Sequence, residues 1–198
     1  MNPAVSACVV RTMGSAGADP RDSDLVVAAR EGHAWALTEI WQRHAPAVTG
    51  YLRGRGATEP EDLTSDVFLA VFERLHGFHG DDEALRAFVF TVAHHKMVDD
   101  LRRRVRRGEP APYDAAADPR AEASAETVAM NAIGDQEVEA LLRTLSPDQR
   151  EVVLLRIVAD LSLEQTAEVL GKRVGAVKAL QHRALASLRR LMEQAVSL

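Results

Sequence analysis

From about Asp24 onward, stretch after stretch repeats apolar residues every three or four positions, and no sustained stretch alternates apolar with polar. A helix presents one face at a period of roughly 3.6 residues and a strand at a period of two, so this pattern restricts the chain to an all-α architecture. The helices are also punctuated. "SDLVVAARE" starts one behind Ser23, and "AWALTEIWQRHAPAVTGYL" supplies a second, with Trp35, Leu37, Ile40 and Trp41 expected in the core and Pro46 expected to divide or bend it. "EPEDLTSDVFLAVFERL" carries Pro60 in its first turn, and Leu63, Val67, Phe68, Val71, Phe72 and Leu75 at helical spacing. After the glycine-punctuated loop "GFHGDD", a long helix runs through "EALRAFVFTVAHHKMVDDLRRRVRR" with a stripe of Leu85, Phe88, Val89, Val92, Ala93 and Leu101.

Composition then changes. "GEPAPYDAAADPRAEASAE" is rich in Ala, Pro and acid, offers little to bury, and reads as a flexible linker. From Gly108 to Ala140 the acids Glu109, Asp114, Asp118, Glu122, Glu126, Asp135, Glu137 and Glu139 face one base, Arg120. Much of the formal net charge of −5 is therefore local to the connector. The expected plan is a disordered tail over 1–21, a helical domain over 22–107, the linker over 108–134 and a second helical domain over 135–198.

The second half is marked by two capping boxes, Ser146-Pro147-Asp148-Gln149 and Ser162-Leu163-Glu164-Gln165. They predict helices over about 135–145, 147–159 and 163–170, then a tight turn at Gly171 and a long helix over 173–192. A short helix, a glycine turn and a longer helix make the helix-turn-helix pattern, whose second helix enters the DNA major groove. At about 100° per residue, Val174, Val177, Leu180, Ala184, Leu188 and Leu191 share the inner face of that helix. Gly175, Lys178, Ala179, His182, Arg183, Ala186, Arg189 and Arg190 lie opposite, with no acid among them. Small residues permit close approach to base edges, and cations suit phosphates and guanine acceptors.

In the first half, Phe78, Phe88 and Phe90 precede the basic run Arg102, Arg103, Arg104, Arg106 and Arg107. Aromatic platforms beside a cationic track suit single-stranded DNA, although phenylalanines at helical spacing also serve as core.

"EDLTSDVFLAVFERL", "ALRAFVFTVAHHKMVDDLRRR", the acidic linker and "LSPDQREVVLLRIVADLSLEQTAEVLGKRVGAVKALQHRALASLRRL" occur in that order. Together they resemble the extracytoplasmic-function (ECF) class of bacterial RNA polymerase sigma factors, within the sigma-70 superfamily, from about Asp24 to Met192. The resemblance implies a sigma domain two that binds core RNA polymerase and captures the melted minus-ten element. It implies a sigma domain four that reads the minus-thirty-five element as duplex, and an anti-sigma factor as a further partner. By position, Asp62, Leu63, Ser65, Asp66 and Phe68 fall on the family's polymerase-binding helix. Ser65-Asp66 stands where Gln-Glu is common in that family. Phe78, His79, Gly80, Asp81, Phe88 and His95 fall on the minus-ten element's contacts, and Arg102 and Arg103 of the basic run are expected along the same strand. His79 and Asp81 are the expected base-edge readers in a loop that receives a flipped base. Phe88 and His95 stand where Trp and Asn are common. Arg173, Lys178, Ala179, His182 and Arg183 fall on the minus-thirty-five contacts.

Two other readings remain open to the residues. A free-standing helix-turn-helix regulator would bind a duplex operator without polymerase. A metalloenzyme could be built on His94, His95, Asp99 and Asp100, but one helix supplies too few ligands for a convincing site. Nothing in the sequence calls for a catalytic site, a cofactor or a small-molecule substrate. The lone Cys8, the lack of a membrane-length apolar run and the lack of a basic lead-in to "AVSACVV" fit a soluble cytoplasmic chain without membrane insertion.

Overall fold

The computed structural model describes residues 20–108 and 138–196. The tail and linker expected at 1–21 and 108–134 fall almost wholly outside the described residues. Every regular element among those described is helical. The first unit comprises α1 (Pro20–Arg30), α2 (Ala34–Gly54), α3 (Pro60–Leu75) and α4 (Asp82–Arg106). The second comprises the helical residues 138–143 (α5), α6 (Pro147–Val153), α7 (Leu163–Leu170) and α8 (Val174–Val196).

In the first unit α2, α3 and α4 pack against one another, and α1 leans on α2 and α4. Ile40, Val48, Tyr51, Leu52, Val67, Phe68, Val71, Leu75, Leu85, Val89, Phe90 and Met97 form its centre, all buried. α2 runs through Pro46 without a break. Pro46 lies on the exposed side, so the carbonyl it leaves without an amide partner can turn to water. Trp35 and Trp41 depart from expectation: Trp35 is 60% exposed, and Trp41 reaches solvent while tilting its ring over Phe68 at 4.7 Å. The single indole nitrogen favours a half-wet seat over full burial.

Both capping boxes form in the second unit. The Ser146 hydroxyl accepts from the Gln149 amide and Gln149 Oε1 from the Ser146 amide, and Ser162 and Gln165 do the same. The helix expected over 147–159 is not uniform: Leu154–Val158 widens to a π turn, with the Ala159 amide donating to the Leu154 carbonyl. Asp160, at φ 52, then reverses the chain into α7. Asp is among the few residues with a side chain that accept this left-handed conformation readily.

The two units are not independent globules. Leu154, Leu155, Ala159, Leu161 and Val169 join the same apolar cluster as the α1–α4 core. Two small clusters complete the second unit, Leu145, Val153 and Ala184 in one, Val152, Ala167 and Val177 in the other.

Candidate nucleic-acid and polymerase interfaces

α7 ends in a Schellman turn. Gly171 takes the left-handed cap at φ 60, its amide donates to the Glu168 carbonyl, and the Lys172 amide donates to Ala167. Lys172 Nζ then ties the turn to Asp148 on α6 at 3.2 Å. This sets the angle at which α8 leaves. Val177 and Ala184 are fully buried beneath α8, with Leu180, Leu188 and Leu191 half-buried beside them. Val174, expected inside, is 38% exposed, because as the first residue of α8 it precedes the helix's seat on α6 and α7.

Arg173, Lys178, Ala179, His182 and Arg183 are all exposed. Gly175, Ala176 and Ala186 are exposed between them, and a β-carbon at Gly175 would meet nothing within 4 Å. The outer face of α8 is thus a shallow, small-residue strip flanked by cations.

The expected minus-ten residues separate into two groups. His79, His95, Arg102 and Arg103 reach solvent. Arg102 and Arg103 pair with Asp99 and Asp100 one turn earlier, at 3.3 and 3.4 Å. Such exposed pairs contribute little and exchange readily for phosphate. Partial burial of its ring, with His94 adding repulsion, lowers the pKa of His95.

Phe78, Gly80 and Asp81 instead build the loop. Phe78 is only 7% exposed and stacks on half-buried Phe88 at 5.4 Å, so its ring faces the core and is no free platform. A β-carbon at Gly80 would sit 2.7 Å from Ala84 Cβ and 2.9 Å from the Phe78 ring, which explains the glycine. Asp81 caps α4, its Oδ1 accepting from the Ala84 amide at 2.9 Å, so part of its acceptor capacity is spent on the helix. His79 holds its ring by a 2.9 Å contact to the Gly77 carbonyl and remains the exposed edge of the loop.

On α3, Asp62, Ser65 and Asp66 are exposed. Leu63 and Phe68 are buried in the core, where they hold α3 in place. Leu69, absent from the sequence-derived set, is 61% exposed in line with Asp62 and Asp66. Its spacing from them, at i+7 and i+3, was the available signal.

Among the described residues there is no cluster of three or more His, Cys, Asp or Glu able to hold a metal, and no helix is long and apolar enough to cross a membrane. His94 is turned away from His95's solvent side: its Nδ1 donates to the Glu151 carboxylate at 2.8 Å.

This division into a helical unit with an exposed acidic helix face and a helix-turn-helix unit is that of the sigma-70 proteins. The family model for Sigma-70 region 2 matches residues 40–107, and that for Sigma-70, region 4 matches residues 135–188. The chain is 34% identical over 176 residues to the ECF RNA polymerase sigma factor SigD of Mycobacterium tuberculosis, covering 84% of this chain and 82% of the relative. It is 31% identical to the ECF sigma factor BldN of Streptomyces coelicolor, spanning 87% of this chain and 66% of that one. Among solved structures, CnrH bound to the cytosolic domain of CnrY superposes with a TM-score of 0.64 at 25% identity, over 87% of this chain and 97% of CnrH. The chain belongs to the ECF sigma factors, the alternative initiation factors that direct RNA polymerase to promoters. The presence of both regions leaves the free-standing regulator without support.

Proposed function

We propose that Asp62, Ser65, Asp66 and Leu69 on α3 dock on core polymerase, that α8 reads a minus-thirty-five duplex, and that the loop after α3 with the open side of α4 holds the melted minus-ten strand. The proposed units are sigma domain two over 22–107 and sigma domain four over 135–198. The observation that carries the reading is the outer face of α8, where Lys178, His182 and Arg183 flank exposed small residues. Cations on a low-relief helix face fit phosphates and base edges in the major groove. Leu69 within an acidic face supplies an apolar anchor inside a charged rim, the arrangement that concentrates binding energy at interfaces.

In domain two, His79 is the residue proposed to meet the captured base, and His95, Arg102 and Arg103 line the strand's course. The chain has no chemistry of its own to perform: it binds, positions and helps melt DNA in the cytoplasm while polymerase carries the catalysis. CnrH was solved with CnrY, and an anti-sigma partner is proposed here as well. Run-off transcription with bacterial core polymerase on a promoter library tests the proposal. Initiation that depends on this chain at a defined promoter class is expected; absence of both core binding and initiation would overturn it.

A further inference from the structure

A shallow depression of about 470 Å³ lies on the C-terminal half of α4, lined by Val98, Leu101, Arg102, Val105 and Arg106. All five belong to α4, so among the described residues no other element lines it. Val98, Leu101 and Val105 recur at helical spacing and make one apolar stripe, in which Val98 and Leu101 are half-buried and Val105 is 64% exposed. Arg102 and Arg106, one turn apart, edge the stripe with positive charge. An apolar floor with a cationic rim fits an apolar anchor flanked by acids. Such a segment stands next in the chain. α4 ends at Arg106, and Gly108 takes a left-handed cap at φ 71, its amide donating to the Val105 carbonyl at 3.1 Å. A left-handed residue at that place turns the chain off the helix axis. The sequence then reads Glu-Pro-Ala-Pro-Tyr-Asp over 109–114, one aromatic between two acids and no base. Pro110 and Pro112 oppose a renewed helix.

We infer that the depression on α4 is the seat of this chain's own residues 109–114, with the Tyr113 ring on Val98, Leu101 and Val105 and with Glu109 and Asp114 set against Arg106 and Arg102. The reach fits. From Gly108 back to Leu101 is about 10 Å along α4, and to Val98 about 15 Å, at about 1.5 Å per residue. The steps from Gly108 to Tyr113 cover about 15 Å when extended, at about 3.1 Å per residue. The order of charges fits as well: a segment running back along α4 brings its first acid to Arg106 and its second towards Arg102. Arg102 is held at present only by an exposed pair with Asp99, which exchanges readily. Tyrosine can bury its ring on the stripe and keep its hydroxyl in water. A tethered occupant this near is present at an effective concentration on the order of millimolar, which favours it over a second copy or a free peptide. Seated there, the two acids withhold Arg102 and Arg106 from phosphate, so the chain's grip on a single strand is set partly by its own linker. That consequence rests on the strand path proposed above.

The test compares the full chain with Tyr113→Ser and Val105→Ser, which remove the contact from its two sides without changing charge. The first readout is the methyl NMR spectrum of Val98 and Leu101. A tyrosine ring lying on these methyls displaces them upfield, so both should move downfield in Tyr113→Ser and again in Val105→Ser. The second readout is the affinity for a single-stranded oligonucleotide as salt is varied. Two released cations should steepen the slope of log affinity against log salt by about 1.4 in both variants, at about 0.7 per phosphate. Methyls that ignore Tyr113→Ser overturn the seat. Methyls that follow chain concentration and not Tyr113 overturn it in favour of a second copy. Displaced methyls with an unchanged salt slope overturn the masking of Arg102 and Arg106. Displaced methyls in a chain that binds no single strand, parent or variant, sink the strand path and leave the seat standing.

Discussion

His44 offers a direct test of how the first unit is held together. It lies within α2, 3% exposed, with Nε2 lacking a hydrogen-bond partner. Burial lowers its pKa from 6.5 to about 4; Asp82 opposes the shift, while Arg86 and Arg43 add to it. The folded chain therefore keeps the ring neutral at a pH where the unfolded chain protonates it. Its contribution is whole above the unfolded value of 6.5 and is lost as pH falls towards about 4, below which no more is lost. At about 1.4 kcal/mol per tenfold change in proton affinity, the full loss is about 3 kcal/mol. At pH of about 5.5 the unfolded chain is already favoured by about 1.4 kcal/mol from this group alone. Urea unfolding of the parent and His44→Leu at pH of about 7.5 and about 5.5 isolates the term, because the other titrating groups are common to both. The parent is expected to lose about 1.4 kcal/mol more than the variant on acidification. Equal losses in the two proteins would refute the burial argument. Asp82 and Arg86 lie in the first turns of α4, so this titration also bears on the seat of the loop proposed to capture the minus-ten strand.

Three further outcomes are expected. Lys178→Ala and Arg183→Ala should each weaken promoter-directed transcription, by roughly 5- to 150-fold where the contact is to a base, while core-polymerase binding measured by pull-down stays near the parent's; equal loss of both would mean that α8 has another role. Leu69→Ala and Asp66→Lys should weaken core binding without lowering the urea midpoint, since both side chains are exposed; a fall in the midpoint would return Leu69 to the fold. Ser162→Ala should cost about 1 kcal/mol by removing one half of a formed capping box, read as a shift in the urea midpoint, and an unchanged midpoint would show the box to be idle.

The sequence was most legible where local chemistry fixes local geometry. Ser146, Gln149, Ser162, Gln165 and Gly171 set caps and a left-handed turn from side-chain type alone, and the structure has each of them. Helical period separated Val177 and Ala184 from Lys178 and Arg183 for the same reason. It did less well with aromatic and loop residues. Trp35 and Phe78 have the same apolar content as core and as surface, and only the neighbouring helices decide that Trp35 stands out and Phe78 stacks inward. Asp81 was expected only as a base reader, and in the structure one of its oxygens caps α4 by accepting from the Ala84 amide. Least legible was the joint between the units. Nothing in the spacing of Gly50 and Gly54 names Leu154 as the residue that fills them, and Glu151 looks like any surface acid of an amphipathic helix until Tyr51, Arg55 and His94 surround it.

That joint also bears on why an acidic chain can serve as a DNA-binding factor. A single exposed face with a few cations binds duplex weakly, because affinity grows with the number of phosphates neutralised. Two such faces on one polymerase gain through effective concentration, provided both can reach their sites together. In the free chain the Glu151 cluster ties the two units together. Burial alone would raise the Glu151 carboxyl, but the His94 hydrogen bond and the Arg55 charge outweigh it and hold the pKa below its ordinary value. The carboxylate therefore stays charged at neutral pH, and its favourable share in the joint is lost only as pH falls through and below the ordinary carboxylate range. The joint is thus steady under ordinary conditions, and a partner that binds the separated units better than the joined pair would shift it towards separation.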